Sequence, residues 1–129
     1  MSDVSEAAIG DLIGKTMVSV SQVDNDELRF TTSDGERFRL YHYQDCCESV
    51  EIEDVIGDLS DLVESPILMA EEVSHECENP EGVPEKEWQD SWTWTFYKLA
   101  TVKGYVTIRW YGESNGYYSE RVAFEKCED

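Results

Sequence analysis

The sequence predicts an α+β fold: a single antiparallel β-sheet-rich domain over residues 1–129 with one or two short helices. Three observations carry this expectation. The last third alternates aromatic and polar residues in long runs. An Asp-Gly turn separates two alternating segments near residue 34. Helical spacing of apolar residues occurs only in two short stretches.

In chain order, Ala8, Ile9, Leu12 and Ile13 form one helical stripe. Ser5 is the candidate N-cap and Gly14 the stop, so residues 5–13 read as a short helix. Residues 17–23 are β-branched and alternating, and Asp24-Asn25-Asp26 closes that strand with turn chemistry. Residues 28–32 and 36–43 flank Ser33-Asp34-Gly35, the firmest hairpin signal in the chain. Val50 and Ile52 alternate with Glu51 and Glu53 as a half-buried strand. Val55, Ile56, Leu59, Leu62 and Val63 then follow helical spacing, limited by Pro66.

Residues 66–70 are a short apolar run, read as a buried strand. Residues 71–90 carry eight acidic side chains against Lys86, together with Pro80, Gly82 and Pro84, and read as a long solvated acidic loop or insertion. Residues 91–99, 105–111 and 117–124 are strands, with turns at Lys103-Gly104 and at residues 112–116. Symmetric closure of that last turn would place Tyr111 opposite Tyr117 and Arg109 opposite Ser119, so that Arg109 and Arg121 share one face. Likewise Arg37, Arg39, Tyr41 and Tyr43 fall on one side of the earlier hairpin.

Composition bounds the function. The chain has 129 residues with 12% aromatics, enough for one packed core. Its 29 acidic residues against 10 basic ones leave a net charge of −19. Phosphate neutralisation along a nucleic-acid backbone needs a basic surface, so direct nucleic-acid binding is not expected. No apolar run is long enough to span a bilayer, and the first residues lack a signal-peptide pattern; no membrane partner and a cytosolic setting are the expectation. Cys46, Cys47, Cys77 and Cys127 then read most simply as free thiols.

Catalytic motifs are weak. Neither His42 nor His75 sits in a nucleophile pattern, although a pairing of His42 with Cys46 or Cys47 is conceivable from proximity. The spacing of His42, Cys46, Cys47, His75 and Cys77 matches no standard zinc site, and Asp24-Asn25-Asp26-Glu27 is a turn rather than a calcium loop. The reading is therefore of a non-enzyme with no cofactor and no metal. What stands out is that the five arginines fall mostly beside strand aromatics. Guanidinium forks grip phosphates and flat rings stack on bases, so a local nucleotide site can exist on an acidic body. The blander alternative is an exposed sheet face whose arginines are neutralised by nearby carboxylates.

With Asp45-Cys46-Cys47-Glu48-Ser49-Val50, Gly57-Asp58-Leu59, Ser65-Pro66-Ile67-Leu68 and above all residues 104–119, the chain resembles, over residues 13–124, a phage-encoded Thoeris anti-defence family. Its members are sponges that sequester cyclic ADP-ribose signals made by bacterial TIR enzymes. The resemblance implies binding without cleavage, in pockets between subunits of a homo-oligomer in the host cytoplasm, with some members also holding cyclic oligonucleotides. It implies phosphate contact by Arg109 and an adenine sandwich drawn from Trp94, Phe96, Tyr117 or Tyr118; Arg121, from the shared face, and Asn115, in the adjacent turn, complete the expected ligand-binding set without individual roles. The acidic balance equally suits an inhibitor of the anti-CRISPR type, which would occupy the basic channel of a host immune nuclease.

Overall fold

A computed structural model describes residues 3–44, 47–76, 91–115 and 119–128. Among the described residues nine strands form two sheets. The first has the order β1 (Asp3–Glu6), β9 (Ala123–Glu128), β4 (Arg37–Tyr41), β3 (Glu27–Thr32) and β2 (Met17–Val23). The second has the order β5 (Ser49–Ile56), β8 (Gly104–Ser114), β7 (Ser91–Thr101) and β6 (Met69–Glu76). Every strand pairing in both sheets is antiparallel. The expected sheet-rich small domain is what forms.

The helices are a correction to the α+β expectation. Among the described residues, helical structure is confined to two four-residue 3-10 turns, at Ile9–Leu12 and Leu59–Leu62. Each apolar stripe is buried only in part: Ile9, Leu12 and Leu62 are inside, whereas Ala8, Ile13 and Ile56 are exposed. Neither stripe has room to propagate. Gly14 at φ +87° ends the first, and Val55 and Ile56 continue β5 until Gly57 at φ +111° turns the chain. Asp58 then caps the second turn by accepting from the Ser60 amide at 3.0 Å. A single turn makes too few backbone bonds to offset nucleation, so packing alone retains it.

The Asp-Gly hairpin forms as its chemistry dictates. Gly35 takes φ +87°, its amide donates to the Thr32 carbonyl at 3.0 Å, and β3 and β4 close around a three-residue loop. The β7–β8 hairpin also forms, with Thr101 opposite Gly104.

Two expectations for the later chain are overturned. Residues 71–76 belong to β6, paired residue by residue with β7 from Met69↔Ala100 to Glu76↔Thr93, so the strand runs into what reads as acidic loop. The remainder, 77–90, lies outside the described residues. The expected hairpin around residues 112–116 does not form either. Both edges of β8 are occupied, by β5 and β7, and the last strand instead crosses to the first sheet and pairs with β1 and β4. Glu120 anchors that crossover, accepting from Thr93 Oγ1 at 2.8 Å and from Ser114 Oγ at 2.5 Å.

The inner faces of the two sheets share one apolar cluster. Leu28, Phe30, Phe38, Leu40 and Phe124 come from the first, and Val50, Ile52, Tyr97, Leu99, Val106, Ile108 and Trp110 from the second. Phe38 stacks on Phe124 with ring centroids 5.4 Å apart. Isolated bridges Ile13↔Ile67, Thr16↔Pro66 and Met17↔Val63 tie the segment before β6 to the start of β2. Among the described residues no helix is long and apolar enough to cross a membrane.

Candidate functional site

Strand alternation puts Tyr97, Leu99, Ile108 and Trp110 inward, so the intervening residues of β7 and β8 populate the outer face of the second sheet. There the register sets Trp92 opposite Glu113, Trp94 opposite Tyr111, and Phe96 opposite Arg109, while β6 adds Val73 beside Phe96 and His75 beside Trp94. Directly opposed side chains in an antiparallel pair are close enough to touch. The Trp94 and Tyr111 rings lie 4.6 Å apart, tilted by 53°, and the Arg109 guanidinium carbon stands 5.3 Å from the Trp94 ring centroid. His75 meets the edge of Phe96 at 6.1 Å.

Although on an outer face, these groups are sheltered: Trp94 is 5% exposed and Tyr111 9%. The Arg109 side chain is 21% exposed and ion-paired through Nε with Glu53. That hydrogen bond is the main reason the guanidinium pKa is raised, against the lowering effect of its burial, with the Asp54 carboxylate adding to the rise. Tyr111 donates to Glu113 at 2.8 Å. Trp92 leaves an indole N–H that is shielded from solvent and has no acceptor. The arrangement is a cation fixed on an aromatic platform. Its accessible part is the guanidinium edge and the half-buried Phe96; the Trp94 and Tyr111 rings are covered, so a planar anion would have to share Arg109 with Glu53 and open a way to those rings.

Of the residues singled out from the sequence, Arg109, Trp94 and Phe96 come together here. Arg121 does not. It lies in the crossover after residue 118 and lines a cleft with His42, Glu72 and Glu125, apart from the Arg109 platform. The failed hairpin is the cause. Asn115 sits exposed at the bend just after β8. Tyr117 and Tyr118 lie outside the described residues. Three members were not in the expected ligand-binding set. Tyr111 had been placed on the Arg109 face by the alternation of β8, and Trp92 follows from the same alternation in β7. Glu53 was hidden by a β-bulge between Ile52 and Asp54, which shifts the register of β5 against β8.

Arg121 instead lines a cleft of about 850 Å³ between the sheets, with His42, Tyr43, Glu72, Asp11 and Glu125 among its walls. His42 is fixed at both ring nitrogens: Nδ1 lies 2.7 Å from the Arg121 carbonyl oxygen and Nε2 lies 2.7 Å from Glu48 Oε2. The His42 and Glu48 side chains are almost wholly buried. Both ring nitrogens face oxygen acceptors, which fixes the orientation of the imidazole. Beside them the Tyr43 hydroxyl donates to Glu125, and Tyr41 donates to the same carboxylate at 2.5 Å.

The cysteines correct a further expectation. Cys127 is a free thiol, whereas Cys47 is disulfide-bonded, its partner outside the described residues. Cys47 is thus not a free nucleophile for His42, whose ring is committed to Glu48. Among the described residues no group of three His, Cys, Asp or Glu side chains could hold a metal ion.

No curated protein and no solved structure matches the chain. A family of domains does: the one described as a domain of unknown function, DUF7448, matches residues 10–124, and the protein belongs to that family.

Proposed function

We propose that the protein is a non-catalytic binding module that sequesters a cyclic nucleotide signal without cleaving it. Cyclic ADP-ribose isomers are the first candidates and cyclic oligonucleotides the second, and the ligand sits on the outer face of the second sheet. The observation that carries this reading is the Arg109 guanidinium held 5.3 Å over Trp94, with Tyr111 packed against that ring. A phosphate would take the guanidinium edge, and an adenine would stack beside Trp94 and Phe96, displacing the weaker share of the Glu53 pairing. The choice of cyclic ADP-ribose comes from the sequence resemblance; the platform supports only the chemical class.

Ile56 and Tyr105, both exposed, extend the same face at its far end, Ile56 beside Thr107 and Tyr105 two residues from it. We infer that a second copy closes over this corner, in a homo-oligomer acting in the host cytoplasm. Native mass spectrometry of protein purified from cells expressing an activated TIR enzyme tests both parts. An oligomer carrying the intact mass of a cyclic nucleotide is expected. A ligand-free protein that also gains no thermal stability from any cyclic nucleotide at large excess would remove the reading. Free ligand at about 100 times Kd adds about 2.7 kcal/mol, a Tm shift on the order of 10 °C.

A second reading is favoured by the carboxylates around Arg109. Glu51, Asp54 and Glu113 surround the platform along with Glu53, on a chain of net charge −19. Such a face would occupy a basic channel of a host immune nuclease. Complex formation would then weaken steeply with salt and survive Arg109→Ala.

A further inference from the structure

Three of the five arginines in this acidic chain are gathered in one place, away from Arg109. On the outer face of the first sheet Arg29 of β3 is directly opposite Arg39 of β4, and Arg37 of β4 is opposite Thr31 on one side and Cys127 of β9 on the other. These residues border a small pocket of about 220 Å³. Like charges set directly across a strand pair repel one another, and a chain with 29 carboxylates has no shortage of alternative neighbours for an arginine. The counter-charges on Arg29 and Arg39 are partial. Glu27 pairs with Arg29 at 2.6 Å, but that arginine side chain is 59% exposed. Glu125 stands 3.8 Å from Arg39 and already accepts from the Tyr41 and Tyr43 hydroxyls. The Arg39 guanidinium carbon lies over Tyr41, 3.9 Å from the ring centroid, and its Nε is shielded from solvent with no acceptor.

We propose that Arg29, Arg37 and Arg39 form an oxyanion site that takes a phosphoryl group next to the Cys127 thiol. Planar guanidinium forks bind tetrahedral oxyanions in bidentate fashion, and stacking on Tyr41 fixes one fork in advance. The pocket falls below the 300–1,000 Å³ or so of whole-ligand sites, so it suits free phosphate or the terminal phosphate of a monoester, not an entire nucleotide. The site shares no residue with the Arg109 platform and stands or falls apart from it.

Amide NMR of the full chain, titrated with sodium phosphate and with glycerol phosphate against sodium chloride at equal ionic strength, is the test. Saturable shifts at amides of β3, β4 and β9 are expected with phosphate and not with chloride. Arg29→Ala and Arg37→Ala should each weaken binding at least fivefold, while Arg109→Ala leaves it unchanged. Response to glycerol phosphate as well as phosphate identifies a monoester ligand; response to phosphate alone identifies the free ion. The proposal is overturned if the shifts do not saturate, if chloride reproduces them, or if they persist in a folded double variant lacking Arg29 and Arg37. It is also overturned if those substitutions abolish a concentration-dependent dimer instead, since carboxylates of a second copy would then be the occupant.

Discussion

Single side chains set the limits of stability. Tyr97 is fully buried, and its hydroxyl forms no well-aligned hydrogen bond; burial first, and then the nearby Glu72 carboxylate, push its pKa upward. Its folded pKa therefore lies above the unfolded value near 10, so its contribution is complete below about pH 10 and is lost as pH rises further. The loss is about 1.4 kcal/mol per pH unit from this one group. Urea titrations between pH 8 and 12 should show stability falling from about pH 10. Tyr97→Phe should be near neutral at pH 7 and shallower in its alkaline decline, because the phenol it deletes is unpaired. The His42–Glu48 pair behaves oppositely. Glu48→Ala leaves a buried imidazole facing an empty acceptor position and should cost roughly 3–5 kcal/mol, measured by urea denaturation. This pair was not legible in the sequence: Glu48 was one carboxylate among 29, and only the fold of the segment between β4 and β5 brings it to His42.

At the scale of elements, what could be read was what local chemistry determines. Gly35 and the Asp-Gly turn, the alternation of β7 and β8, and the inward set Val106, Ile108 and Trp110 depend on neighbours in sequence. The partner of the last strand does not. Residues 117–124 alternate as a hairpin arm would, yet β8 had already been claimed on both sides, and no local pattern reports an occupied edge. That one misplacement put Arg121 beside Arg109 in the sequence reading while leaving Arg109, Trp94 and Phe96 correctly together. The second helix failed for a similar reason. Val55 and Ile56 satisfy a helical period and a strand alike, and pairing with β8 decides between them. Gly57 marks the boundary: a Cβ there would lie 2.6 Å from the Tyr105 carbonyl oxygen, at φ +111°. Gly57→Ala should therefore destabilise by about 2 kcal/mol or more, with β5 amides next to the turn losing hydrogen-exchange protection first.

For the whole molecule, a net charge of −19 means that the folded chain repels itself. Raising sodium chloride from 20 to about 500 mM, which shortens the screening length severalfold, should raise Tm. A fall would show that specific ion pairs such as Lys15–Glu36 at 2.7 Å and Lys126–Glu36 at 2.9 Å outweigh general repulsion. Against that acidic background the functional reading depends on one sheltered cation and its rings. Isothermal titration of the purified protein with cyclic ADP-ribose isomers, repeated with Arg109→Ala and Trp94→Ala variants that remain folded, addresses it most directly. The account predicts saturable binding of an unaltered ligand that both substitutions abolish or weaken at least tenfold. Binding that survives both, or heat traces identical to buffer for every isomer and cyclic oligonucleotide, would contradict it.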